Sequence, residues 1–242
     1  MKITLDDPIL FARSIDLISE LVLEVKIKVN EFGLSIVAID PSNVSMVALR
    51  VPKSSFKEFE AEDESIGINL DNLKKVLKRC GKGALLTLSR NDNMLEIKID
   101  DKIKRNFSLN LIEISSEDKE FPSHLEYVSK VEISSEDLID SIEDCAVISD
   151  AFSFIVKDGK FVVETKEMNS ARAEFSSDLV KIEGEDSKSR YSIEYMQKFL
   201  KAGKAFDKTI LNFSNDHPIR VDFNSDVLSL SFLLAPRIET DD

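Results

Sequence analysis

The sequence predicts an α+β protein built from a duplicated unit, and three observations carry that prediction. Short apolar runs alternate with period two, four longer stretches repeat their apolar residues at helical spacing, and the order of these pieces recurs about halfway along the 242 residues. With 43% hydrophobic and 32% charged residues, the chain suits a globular protein of one or two domains with a sizeable core.

The period-two runs predict strands at Val25–Val29, Leu34–Ile39, Val44–Val51, Ala84–Leu88, Leu95–Ile99 and Phe107–Leu111. A first helix follows Asp7-Pro8, read as N-cap and first turn, and is striped by Phe11, Ile15, Ile18 and Val22. A second runs from Leu70 to Cys80 with Leu73, Val76, Leu77 and Cys80 inward. The third starts at Ser134, where Asp137 completes a capping box, and is striped by Leu138, Ile142, Cys145 and Ser149. The fourth spans Ser192–Ala202 and turns Tyr195, Met196, Phe199 and Leu200 inward. The hairpin turn at Phe32-Gly33 is matched by Asp158-Gly159, 126 residues on, and Cys80-Gly81-Lys82 by Ala202-Gly203-Lys204, 122 residues on. Chance agreement within a β-rich chain is the competing explanation. A polar stretch around Glu113–Pro122 reads as a surface connector.

Charge narrows the function classes. With 45 acidic and 32 basic side chains the net charge is −13, which excludes a protein that coats nucleic acid with its whole surface but not one with a local basic face. The second helix carries Lys75, Lys78 and Lys82 opposite its apolar stripe, with Lys74 and Arg79 beside them, and the fourth carries Lys198, Lys201 and Lys204. Such stripes suit phosphate contact without base reading; ordinary surface lysines are the alternative. Cys80 and Cys145 lie on predicted helices and read as reduced thiols, and no zinc framework is present. His124 and His217 read as solvated loop residues, and the acidic pairs Asp6-Asp7, Asp100-Asp101 and Asp241-Asp242 as solvated faces. No phosphate-binding glycine loop or nucleophile motif occurs, so no catalytic residue, metal or cofactor is expected. The N-terminus lacks a basic segment followed by an apolar run, and no apolar stretch approaches membrane-spanning length, so the expectation is a cytoplasmic protein without membrane contact.

Five segments, in order along both halves, resemble the DNA sliding clamps of the proliferating cell nuclear antigen family, archaeal type: Ala38–Val47, Asp71–Lys78, Asp144–Ser149, Lys188–Tyr195 and Phe232–Glu239. The resemblance covers essentially the whole chain. It implies two similar clamp domains, 1–114 and 128–242, joined by an interdomain connector loop 115–127, with antiparallel sheets outside and helices inside a ring-forming trimer, homomeric or heteromeric. Such a ring encircles duplex DNA as a processivity factor in replication and repair, near the nucleoid, or in the nucleus of a eukaryote.

The same resemblance implies sites. Arg13, Lys75, Lys78, Lys201 and Lys204 would face DNA. Phe107, Leu109 and Leu111, on a strand over 105–111, and Ala173, Phe175 and Leu179, on one over 171–180, would form the subunit interface. Ile39, Asn43, Val44, Met46, Phe121, Pro122, Pro218, Leu233, Ala235 and Pro236 would line a groove for peptides of DNA polymerase, flap endonuclease and DNA ligase, and an ATP-driven clamp loader would open the ring. Without the family, Ile39, Val44, Met46 and Leu233 read simply as strand core. One departure stands out: Ser134–Asp150 has no Lys or Arg but carries Glu136, Asp137, Asp140, Glu143 and Asp144. Two other readings remain at this point, a specialised or checkpoint-type clamp subunit of a heterotrimeric ring, and an enzyme or small-molecule-binding protein on the same duplicated scaffold.

Overall fold

The computed structural model describes residues 1–115, 118–122 and 124–238. Ser116, Glu117 and Ser123 of the expected connector, Glu239 of the last family segment and the Asp241–Asp242 pair lie outside the described residues. The chain divides into two compact units, one of residues Met1–Pro41, Val47–Phe121 and Ser225–Leu230, the other of Ser42–Met46, Pro122–Asn224 and Ser231–Asp242.

The first unit follows the order β1 (Lys2–Asp6), α1 (Ile9–Ile18), β2 (Glu24–Asn30), β3 (Gly33–Ile39), β4 (Ser45–Pro52), β5 (Phe56–Glu60), β6 (Glu64–Asn69), α2 (Leu70–Leu77), β7 (Leu85–Asn91), β8 (Met94–Asp100) and β9 (Lys104–Asn110). Its strands form a five-stranded sheet in the order β5-β1-β7-β8-β9 and a run β4-β3-β2-β6. The apolar positions that alternate in sequence alternate in burial, as in β2, where Val25, Ile27 and Val29 are buried while Lys26 and Lys28 reach outward to Asp118. The core is largely aliphatic, with Ile3, Ile15, Ile18, Leu49, Leu70, Leu73, Leu86 and Ile97 fully buried.

The second unit repeats the order strand, helix, five strands, helix, three strands. It comprises β10 (Ser129–Ser134), α3 (Ser135–Ala146), β11 (Ala151–Lys157), β12 (Lys160–Lys166), β13 (Ser170–Phe175), β14 (Lys181–Gly184), β15 (Ser187–Ser192), α4 (Ile193–Gly203), β16 (Lys208–Phe213), β17 (Ile219–Asn224) and β18 (Ser229–Leu234). Its strands run β14-β10-β16-β17-β18 and β13-β12-β11-β15. Here the core is aromatic: Phe152, Phe154, Phe161, Tyr191, Phe199, Phe213, Phe223 and Phe232 are fully buried, and Phe199 stacks on Phe232 with ring centres 4.4 Å apart.

Several sequence expectations need correction. Asp7 does not cap α1; it takes φ +53° and gives its N–H to the Ala84 carbonyl, which leaves Pro8 as the first flanking residue. Helix α2 ends at Leu77, and a tighter turn follows, in which Arg79 and Cys80 donate to the carbonyls of Val76 and Leu77, so Cys80 and Lys82 lie off the helix. Ser149 lies beyond α3, and Tyr195 is only half-buried. The first hairpin turns on Glu31-Phe32, with Gly33 already in β3 at φ +137°, because a Cβ there would sit 2.2 Å from the Val51 carbonyl oxygen. The second turns on Asp158-Gly159 with both φ angles positive, as the Asp-Gly pair predicts. Gly203 closes α4 in a buried position whereas Gly81 is exposed past α2, so those two glycines are not equivalent. The residues that correspond are the C-caps Lys78 and Lys204, 126 residues apart, within one residue of the 127 that separate the two hairpin turns, Glu31-Phe32 and Asp158-Gly159.

Candidate functional site

Each unit pairs its two helices, α1 with α2 and α3 with α4. The buried faces hold Phe11, Ile15, Leu73 and Leu77 in the first unit and Leu138, Ile142, Met196 and Phe199 in the second. Two helix starts are capped by side chains: Asn69 accepts the Asn72 N–H at 3.1 Å, and Ser134 accepts the Asp137 N–H at 3.4 Å.

The outward faces differ in charge. Along 9–18 and 70–79 stand Arg13, Lys74, Lys75, Lys78 and Arg79 against Asp16 and Asp71, a net of +3. Along 135–146 and 193–204 stand Lys198, Lys201 and Lys204 against Glu136, Asp137, Asp140, Glu143, Asp144 and Glu194, a net of −3. Arg13, Lys75, Lys78, Lys201 and Lys204 are all exposed. Lys78 pairs with Asp16 at 2.9 Å, and Lys74 with Asp71 at 2.6 Å, a hydrogen bond that holds the Asp71 carboxyl below the usual carboxylate range. These pairs are solvated and therefore weak, and a phosphate can displace the carboxylate. Lys198 is held by Glu194 at 2.8 Å and lies over the Tyr195 ring. Lys204 shares a cleft with Glu136, Asp140, Glu143 and Asp207, so the carboxylates of α3 stand beside the lysine expected to meet DNA.

Of the expected interface residues, Phe107 and Leu109 are half-buried on β9, an edge of the five-stranded sheet, and Ala173 is half-buried on β13, an edge of the four-stranded one, whereas Phe175, also on β13, is buried against Phe161 with ring centres 5.9 Å apart. Leu111 and Leu179 depart from expectation. Leu111 follows β9, donates its N–H to Asn93 and is buried, while Leu179 sits in a turn closed on the Ser176 carbonyl and is exposed. Along β13, Arg172 bridges Glu164 and Glu174, and Glu174 also holds Lys160, which marks this edge with charge.

Asn43, Val44, Met46, Pro122, Pro218, Leu233, Ala235 and Pro236 of the expected groove belong to the second unit, and Ile39 and Phe121 to the first. Within the second unit the Ala235 N–H donates to the Val44 carbonyl at 2.9 Å, which places the segment 42–46, a turn and the start of β4, beside the end of β18. Val44, Met46, Pro218, Ala235 and Pro236 are half-buried, Asn43 is exposed at φ +55°, and Leu233 is buried, as the plain strand-core reading of that residue had it. Sequence reasoning missed Tyr127 and His217 beside Pro218: their rings meet edge to face at 5.6 Å, and the Tyr191 hydroxyl fixes the His217 carbonyl at 2.9 Å. The one available signal was an aromatic residue closing an otherwise polar connector. His217 is thus packed rather than loosely solvated, while His124 is exposed. Among the described residues no His, Cys, Asp and Glu cluster could hold a metal, and no helix is long and apolar enough to cross a membrane.

A twice-repeated α+β unit, with a helix pair and a free sheet edge in each copy, defines the clamp class of protein. Residues 1–120 match the family model for the proliferating cell nuclear antigen N-terminal domain. The DNA polymerase sliding clamps of Thermococcus fumicolans and Pyrococcus furiosus are 38% and 36% identical over 95% of this chain and 95% of their own. The PCNA2–PCNA3 complex of Sulfolobus tokodaii contains a chain of TM-score 0.89 and 27% identity, aligned over 99% of this chain and 100% of that one. The proliferating cell nuclear antigen of Entamoeba histolytica shares the fold at TM-score 0.90 and 23% identity, over 98% of both chains. This chain belongs to the proliferating cell nuclear antigen family of DNA polymerase sliding clamps, whose members are non-enzymatic processivity factors. The enzyme and specialised-clamp readings are not favoured by these relatives.

Proposed function

We propose that the chain is one subunit of a three-membered ring that encircles duplex DNA, slides along it and tethers DNA polymerase. The observation that carries this is the full-length relationship to polymerase sliding clamps at 36–38% identity. Domains 1–114 and 128–242 joined by the connector 115–127 make up the subunit. Rings close when β9 of one subunit pairs with β13 of the next, which hides two edges that otherwise invite aggregation. Topological closure removes the need for tight contact, so weakly attractive side chains, Arg13, Lys75, Lys78, Lys201 and Lys204, suffice. The groove residues around Met46 and Ala235 receive apolar peptides of polymerase, flap endonuclease and ligase, and a clamp loader opens the ring; the protein works on the nucleoid in the cytoplasm.

The test combines mass and processivity. Light scattering should give three times 27.3 kDa for a self-sufficient ring, or for this chain mixed with related subunits if the ring is heteromeric. The assembled ring should lengthen polymerase products on primed circular DNA. Met46→Glu, at a half-buried position, should abolish polymerase-peptide binding by placing a charge in an apolar site. No lengthening by any assembled form would overturn the clamp reading, and unaltered peptide affinity in Met46→Glu would move the groove elsewhere.

A further inference from the structure

We propose that a second recognition site lies at the β2–β3 turn end of the first unit, and that it takes a partner peptide in which an apolar side chain stands beside a single carboxylate. A cavity of about 550 Å³ opens there, lined by Phe32, Arg50, Pro52, Ser225, Leu228 and Ser229 among others. That volume admits one large side chain with a neighbouring polar group. Its place differs from that of the peptide groove: Gly33 and Ile39 are the two ends of β3, about 20 Å apart at ~3.3 Å per residue.

Two independent observations specify the occupant. Phe32, at 75% exposed, and Val227, at 44%, leave apolar surface beside the cavity in a chain that otherwise buries its phenylalanines well. The second observation is Arg50. Arg90, Arg105, Arg172, Arg190, Arg220 and Arg237 each hold a carboxylate. Arg13 and Arg79 belong to the cationic face of α1 and α2, so Arg50 is the remaining arginine with no carboxylate partner among the described residues. A guanidinium at the rim of an apolar cavity matches a carboxylate, which it can engage through two parallel N–H donors. Glu31 and Asp226, exposed on the two bordering turns, repel a run of negative charge. They therefore disfavour nucleic acid and select a lone carboxylate.

The test uses the full chain with a fluorescein-labelled Gly-Ser-Asp-Leu-Phe-Ser-Gly peptide and its analogue with Asn in place of Asp. Anisotropy should show saturable binding that weakens about tenfold or more with the Asn analogue and with Arg50→Ala, and is lost with Arg50→Glu. Hydrogen exchange should slow at 30–35 and 225–229 when the peptide binds. Phe32→Ala, at a surface position, should weaken binding without moving the thermal melt. Equal affinity for the two peptides, binding that survives Arg50→Glu, or protection confined to 39–46 would overturn the proposal. So would the same protection on concentrating the chain alone, which would assign the cavity to a second copy.

Discussion

The helix pairs of the two units both bury an apolar stripe, but they differ in length, 10 and 8 residues against 12 and 11, in which helix a side chain caps, and in outward charge, +3 over 9–18 and 70–79 against −3 over 135–146 and 193–204. Their inner faces answer to packing, which fixes where leucines and phenylalanines must lie. Their outer faces answer only to what they meet. The difference teaches that a duplicated fold tolerates reversal of surface charge in one copy, and under the proposed function it predicts that α1 and α2 attract DNA more than α3 and α4 do.

The contrast collapses most visibly if the cations of α2 are removed. Lys75→Glu with Lys78→Glu should speed loss of the ring from closed circular DNA by at least about tenfold and lower the salt slope of binding by about 0.9 for each phosphate that is no longer neutralised. Unchanged retention would deny these lysines their role. Turning the second helix pair into a copy of the first is the converse experiment: Asp140→Lys with Glu143→Lys should raise affinity for duplex DNA a few-fold, read by the same retention assay. A smaller effect separates the caps. Asn69→Ala should cost about 1 kcal/mol in urea unfolding, and Ser134→Ala less, since its hydrogen bond from the Asp137 N–H is longer, 3.4 against 3.1 Å. Smallest is the thiol contrast. Burial pushes both Cys80 and Cys145 up to about 11, so each stays protonated at neutral pH and gains thiolate only as pH rises toward that value. Half-exposed Cys80 should react slowly with a disulfide reagent in the native protein, faster at high pH, and Cys145 only after unfolding.

Much of this was legible before any coordinates. The start of α2 at Leu70, the Ser134 cap and the Asp158-Gly159 turn follow from local chemistry, because the deciding partners lie within a few residues. Where local signals failed, a distant group had intervened. Asp7 looked like a cap, but its N–H is held by Ala84, far along the chain. The spacing puts Lys78 in a stripe with Lys75 and Lys82, but it does not show that Asp16 of α1 holds it. Leu179 looked like the end of a strand, but Ser176 closes a turn that stops β13 at Phe175. Family resemblance named the expected site residues, two of which, Leu111 and Leu179, lie off the strands expected to carry them, whereas the charge contrast between helix pairs needed only the sequence. Arg50 went unnoticed because its lack of a carboxylate partner among the described residues is a fact about positions in space, not about its neighbours in the chain.

The Lys78–Asp16 pair has a consequence in ion-exchange terms. If Lys78 meets DNA as proposed, each phosphate it takes sheds a condensed cation, but Asp16 is left bare and recruits one from solution. Net ion release per lysine is then smaller than a simple count of cations gives, and the ring's grip on DNA should change less between dilute and concentrated salt than that of a protein whose lysines start without carboxylate partners.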